Sequence, residues 1–133
     1  MRDAFVLAPE EFTPKNLLAA AGRVGLSVAE QGDRIWGGDA DDYVDVFEDP
    51  TVERDFDEEE LAGTKICPDR LRFYHVRFRD HLRAGDVVLQ LFGERDDFVL
   101  DNDHGLLIDL REFAEAIASA PEWDWSVASS RPT

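Results

Sequence analysis

Residues 96–120, DDFVLDNDHGLLIDLREFAEAIASA, constrain the fold more than any other part of the chain. Phe98, Val99 and Leu100 have the composition of a short buried strand. Asn102 to Gly105 supply turn residues, and Leu106, Leu107 and Ile108 read as the returning strand. A helix must follow directly. Asp109 is placed to cap it, Glu112 stands at the position from which a side chain can reach back to the cap, and Leu110, Phe113, Ala114 and Ile117 recur on one helical face. Such a strand, turn, strand and helix unit has an apolar side that must be covered by other parts of the chain.

Those other parts read as further short strands and helices. Residues 3–8 form a strand. Thr13 and Pro14 start a helix that stops at Gly22 or Gly25. Residues 26–36 form a hairpin about Gln31, Gly32 and Asp33, and residues 43–47 form a strand ended by Pro50. Residues 57–61 suit a short helix stopped at Gly63. Residues 72–79 fit either period, but their aromatic and β-branched content favours a strand with Tyr74, Val76 and Phe78 on one face. Asp86 resembles an N-cap for a helix over 87–92, with Gly93 at its end. Beyond Pro121, the alternation of Trp123, Trp125 and Val127 suggests a terminal strand. The expectation is a single compact α+β domain over residues 1–128, with a mostly antiparallel sheet of about six short strands packed against three or four helices, and a frayed tail at 129–133.

At 133 residues the chain can bury roughly two-thirds of its unfolded surface and needs no metal or disulfide to fold. Nine Phe, three Trp and two Tyr supply the core. The single cysteine, Cys67, cannot bridge internally, which suits a reducing cytoplasm. The apolar run over residues 4–8 is far short of a membrane span or signal-peptide core, so no membrane association and a cytoplasmic location are expected.

The net charge is −16. Direct binding to DNA or RNA is thereby disfavoured, because that binding is driven by cationic side chains releasing counterions from phosphates. The excess is concentrated: residues 39–60 hold twelve carboxylates against Arg54 alone, a net of −11. Tyr43, Val44, Val46, Phe47, Val52 and Phe56 lie among them, so the window is not a free acidic tail. Residues 65–83 reverse the sign, with six cations against two acids. Acids interleaved with aromatics can form a charge-steered protein interface, and Asp41, Asp42, Tyr43, Asp45, Phe47, Glu48, Asp49, Asp55, Phe56 and Glu58 are the residues expected to build it. The competing reading is a solvated face partly paired with Arg72, Arg77 and Arg79 across a sheet.

Catalytic signatures are missing from the sequence. No serine lies in a GxSxG elbow, and there is no glycine-rich phosphate loop. His75, His81, His104 and Cys67 do not fall at a zinc-site spacing. The turn at Asp101, Asp103 and His104, with Asp109 and Glu112, overlays part of a calcium loop, but Leu106 stands where that loop needs glycine. The sequence therefore points to a non-enzymatic acidic domain, requiring no cofactor, that binds a basic partner protein. An inhibitor or immunity-like protein facing a toxin or a nucleic-acid-binding protein, or a mimic of nucleic-acid charge, would have this character, as a monomer or a small homo-oligomer. The alternative is a divalent-cation-binding or metal-dependent enzyme centred on the Asp101, Asp103 and His104 turn. A third is a scaffold subunit with Trp123 and Trp125 exposed at an oligomer interface.

Overall fold

The computed structural model describes residues 1–30, 32–50, 59, 61, 64–66 and 70–132. Strand β1 (Arg2–Pro9) is followed by helix α1 (Pro14–Val24), the short strands β2 (Ser27–Val28) and β3 (Ile35–Gly37), and then β4 (Val44–Glu48) and β5 (Leu71–Phe78). Helix α2 (His81–Phe92), strands β6 (Val99–Asp101) and β7 (Leu107–Asp109), and helix α3 (Leu110–Ser119) complete the described elements. Seven strands form one antiparallel sheet in the order β2-β3-β4-β5-β1-β6-β7, one strand more than the sequence suggested, and the whole is a single compact α+β domain.

β1 is an inner strand, and its sequence is apolar on both sides. It pairs along its whole length with β5, from Arg2 opposite Phe78 to Pro9 opposite Leu71, and through Phe5, Val6 and Leu7 with β6. Ala4, Val6 and Ala8 face the helices, where they join Val44, Val46, Tyr74, Val76, Phe78 and residues from all three helices in the main core. The opposite side of the sheet carries a smaller cluster: Leu7 and Val99 are covered by Leu61 and Ile66, with Phe5, Leu71, Phe73 and Leu107 at its margin. Phe12 follows β1 and packs edge-on to Tyr74 and Phe98 and tilted against Phe92, while its carbonyl accepts the Tyr74 hydroxyl at 2.5 Å. Burial of that phenol pushes its pKa upward.

Helices α1 and α3 start where the sequence places them, but the Thr13 hydroxyl donates to Asn16 and accepts no amide, and Glu112 does not reach back to its cap. Asn16 accepts from the Thr13 amide and hydroxyl, Pro14 occupies the first turn, and Gly25, at φ 75°, ends α1 in the left-handed conformation. Asp109 accepts from the Glu112 amide at 2.8 Å, whereas the Glu112 carboxylate pairs with Arg131. The tail thus has a contact of its own. Two further expectations require correction. Asp86 is not a cap: α2 begins a turn and a half earlier, with Asp80 accepting from the Leu82 amide at 3.0 Å, and Asp86 lies exposed within it. Residues 122–127 do not form a strand but a chain of turns closed by Trp123 N–H to the Ala120 carbonyl and Val127 N–H to the Asp124 carbonyl. The helix expected over 57–61 and its glycine stop lie largely outside the described residues.

Both corrections have one origin. Trp125 inserts between α2 and α3, 1 % exposed, against Phe78 and edge-on to Phe113, and its indole N–H donates to the His81 carbonyl at 3.0 Å. A Cβ on Gly85 would stand 3.2 Å from that indole nitrogen. Gly85 is therefore the gap that admits Trp125, and in sequence it looks like a helix break. Gly22, also within a helix, has nothing within 4 Å of a Cβ. Gly22→Ala is expected to stabilise the protein by about 0.5–1 kcal/mol. Gly85→Ala is expected to destabilise it by about 1 kcal/mol, because overpacking against a pinned indole outweighs the better helix propensity. Urea unfolding of the two variants beside the parent reads both signs.

Candidate functional site

Three regions could carry function: the acidic window on β4, the turn between β6 and β7, and a groove between α2 and α3. The window begins with a tight turn. Asp42 accepts from the Asp39 amide at 2.7 Å, while Asp39 accepts from the Asp41 amide at 2.9 Å and the Asp42 amide at 3.4 Å, and the amide bonds to its carboxylate, that of Asp41 foremost, hold the Asp39 carboxyl below its usual range. Gly38, at φ 85°, lets the chain close, since a Cβ there would meet the Asp42 carbonyl oxygen at 2.6 Å. Asp41 remains exposed at the tip.

Further along β4, pairing with β5 places carboxylates opposite cations. Asp45 is 0 % exposed and lies across from Arg77, which donates to it twice, Nε at 3.0 Å and Nη2 at 2.7 Å. Tyr43 adds a hydroxyl bond at 2.8 Å, and Arg34 approaches to 3.9 Å. Phe47 sits beside the Arg34 and Arg77 guanidinium groups and the His75 ring. His75 Nε2 lies 2.7 Å from Asp3, and Nδ1 lies 3.7 Å from Asp49. Glu48 pairs with Arg72 at 2.8 Å. Asp45, Phe47 and Glu48 contact this chain's own side chains, and Arg72 and Arg77 of the basic series do the pairing. Period-two alternation against a basic, aromatic strand was the signal for this arrangement. Asp55, Phe56 and Glu58 lie outside the described residues, as does Cys67.

The β6–β7 turn is organised by Asn102, which the sequence marks only as a turn residue. Asn102 is fully buried. Its amide donates to the Trp125 and Ala128 carbonyls, each at 2.7 Å, and its carbonyl accepts from the His104 and Leu106 amides. The side chain thereby closes the turn and ties the carboxyl-terminal segment to it. Asp101 is buried and accepts from the Asp103 amide, Asp103 takes φ 63°, and His104 is exposed. Asp109 caps α3 and Glu112 meets Arg131. Among the described residues no group of three or more His, Cys, Asp or Glu side chains is placed to hold a metal ion.

The groove between α2 and α3 has a volume of about 390 Å³. Trp125, Trp123, Ile117 and Leu89 line it, and Leu82, 58 % exposed, stands at its mouth. Asp86 and Glu94 are its charged lining residues, and Glu122 lies between the lining residues Pro121 and Trp123. Trp123 and Trp125 are thus on the helical side and not beside the β4 window; Trp125 is too deeply buried to serve as an exposed oligomer contact. Beside the groove, Asp124 receives the Ser126 hydroxyl at 2.5 Å and Arg2 at 3.0 Å, with His81 Nδ1 at 3.6 Å. Although this cluster contains serine, histidine and aspartate, it is not a nucleophilic triad: the serine donates to the aspartate itself and receives Arg2 at 2.6 Å.

The chain matches no family model, no curated protein and no solved structure. Among the described residues, no helix is long and apolar enough to cross a membrane.

Asp124 provides a pH test of the cluster. Burial pushes its carboxyl pKa upward, but the Ser126 hydroxyl and amide, His81 and Arg2 outweigh that and leave it below the usual carboxylate range. With the folded value depressed, the stabilisation is present above the unfolded pKa of about 3.9 and is lost as pH falls through the folded value. Asp124→Asn should therefore be less stable than the parent at pH 6, and the difference in urea midpoint should shrink below about pH 4.

Proposed function

We propose that this chain is a non-enzymatic acidic interaction domain that docks a basic partner protein, acting as an inhibitor or immunity-like protein that covers a cationic surface. What supports this reading is where the charges lie. Arg2, Arg34, Lys65, Arg72, Arg77, Arg95 and Arg131 each approach a carboxylate of the same chain, so much of the positive charge is already matched. The side chains of Asp41, Asp86, Glu94 and Glu122 are exposed and have no hydrogen bond or ion pair among the described residues. Such exposed carboxylates, on a chain of net charge −16, accelerate encounter with a positively charged surface and repel nucleic acid.

A toxin or nucleic-acid-binding enzyme with a cationic active site is the partner type that best fits such a surface. Occlusion needs no reactive group on the inhibitor, only complementary charge and shape. Affinity purification from native lysate at low and high ionic strength tests the proposal. The expected result is a basic protein whose binding weakens at least ~10-fold between 50 and 300 mM NaCl, as screening over a Debye length of about 10 Å requires. Recovery of no partner, or of one whose affinity ignores salt, contradicts it.

A further inference from the structure

We propose that the groove between α2 and α3 is where the partner docks, and that its occupant is an amphipathic helical segment of that partner with apolar side chains on one face and lysine or arginine beside them. This inference rests on the interaction reading above and names its site.

The groove is apolar where a docked side chain would be buried. Its floor is Trp125, with Ile117 and Leu89 beside it and Trp123 partly covering one wall. The floor is already held in place without a ligand. The indole N–H is bonded to the His81 carbonyl, the ring packs on Phe78 and Phe113, and Asn102 fixes the Trp125 carbonyl. Binding there would not have to order it, which favours affinity. Leu82 is the second observation. It lies on the first turn of α2 with more than half of its surface in water, at the edge of an apolar depression. About 390 Å³ suits a few apolar side chains entering from one helical face, the pattern of helix-in-groove recognition.

Charge selects among possible occupants. No lysine or arginine lines the groove, while Asp86 and Glu94 do, with Glu122 adjoining. A segment that places cations beside its apolar stripe meets those carboxylates as its apolar face enters. A second copy of this chain, itself carrying −16, is electrostatically disfavoured at the same place. A small polar substrate finds few groups to hold it, since the lining is mainly apolar.

The probe is a synthetic amphipathic helix of leucine and lysine, labelled for fluorescence anisotropy, with a leucine and glutamate peptide of the same pattern as control. The full chain is titrated with each at 50 and 300 mM NaCl. The lysine peptide is expected to bind and the glutamate peptide to fail. Asp86→Lys with Glu94→Lys should weaken binding by roughly 10-fold, and Leu82→Ala by several-fold. Each substitution is at an exposed position, and circular dichroism and urea unfolding check that the variants remain folded. Asp41→Lys with Glu30→Lys, which alters exposed charge at residues that do not line the groove, should weaken binding less than 3-fold. Salt-sensitive binding that Asp41→Lys with Glu30→Lys abolishes and the groove variants leave intact overturns the groove while leaving the acidic interaction reading in place. Failure of both peptides to bind overturns the groove and counts against that reading as well. Concentration-dependent dimerisation lost in Leu82→Ala assigns the groove to a second copy and overturns the proposal, as does equal binding of the two peptides.

Discussion

The pairing of β1 on both of its edges is the constraint from which the rest of the structure follows. Because Arg2–Pro9 bonds to β5 along one edge and to β6 along the other, it joins the β6–β7 pair to the rest of the sheet. Its inner side chains on the helical face are small, Ala4 and Ala8 flanking Val6, and large residues from neighbouring strands and helices close over them. Phe5 and Leu7 anchor the other face, beside His75 and beneath Leu61 and Ile66. A strand with apolar residues on both sides must be covered on both sides, and the two faces of this sheet accordingly differ in kind. One is a continuous core under three helices. The other mixes aromatic rings with ion pairs.

That difference separates structural charge from available charge. On the face away from the helices, Asp45, Arg77, Arg34 and Tyr43 satisfy one another, and removing any one of them would leave a partly desolvated group short of a partner. On the helical side and at the β3–β4 turn, carboxylates such as Asp86 and Asp41 have no such role. Among the described residues of the densest acidic run, 39–50, buried Asp45 lies close in sequence to exposed Asp39 and Asp41. The β4 members of that run help to hold the sheet, and the acids that remain accessible include isolated ones on α2 and in the loops, where they carry no structural task.

How much of this could be read from the sequence depended on whether the signal was local. The strand, turn, strand and helix of residues 98–119, the Thr13-Pro14 start, the Gly25 stop and the β5 alternation of Tyr74, Val76 and Phe78 are all local, and each was legible. The start of α2 was not, because Gly85 and Asp86 imitate a break and a cap; the reason for the glycine is Trp125, forty residues away. The same tryptophan misled the reading of 122–127. Its alternation with Trp123 has the period of a strand, but Asn102 takes the carbonyls that a neighbouring strand would have needed. The candidate site was legible as chemistry rather than as place. Acid interleaved with aromatic residues was visible, but the Asp45–Arg77 and Phe47–His75 neighbours require the β4–β5 register, and the groove requires α2 and α3 to meet around one side chain.

About half of the cations meet carboxylates of the same chain, while carboxylates such as Asp41, Asp86, Glu94 and Glu122 face the solvent without a partner among the described residues. The melting temperature as a function of sodium chloride, from about 20 to 500 mM at pH 7, tests this distribution of charge most directly, because salt screens the repulsion among exposed like charges more than it weakens partly buried pairs. The account predicts a melting temperature that rises with salt. A melting temperature that falls or stays level across that range would contradict it.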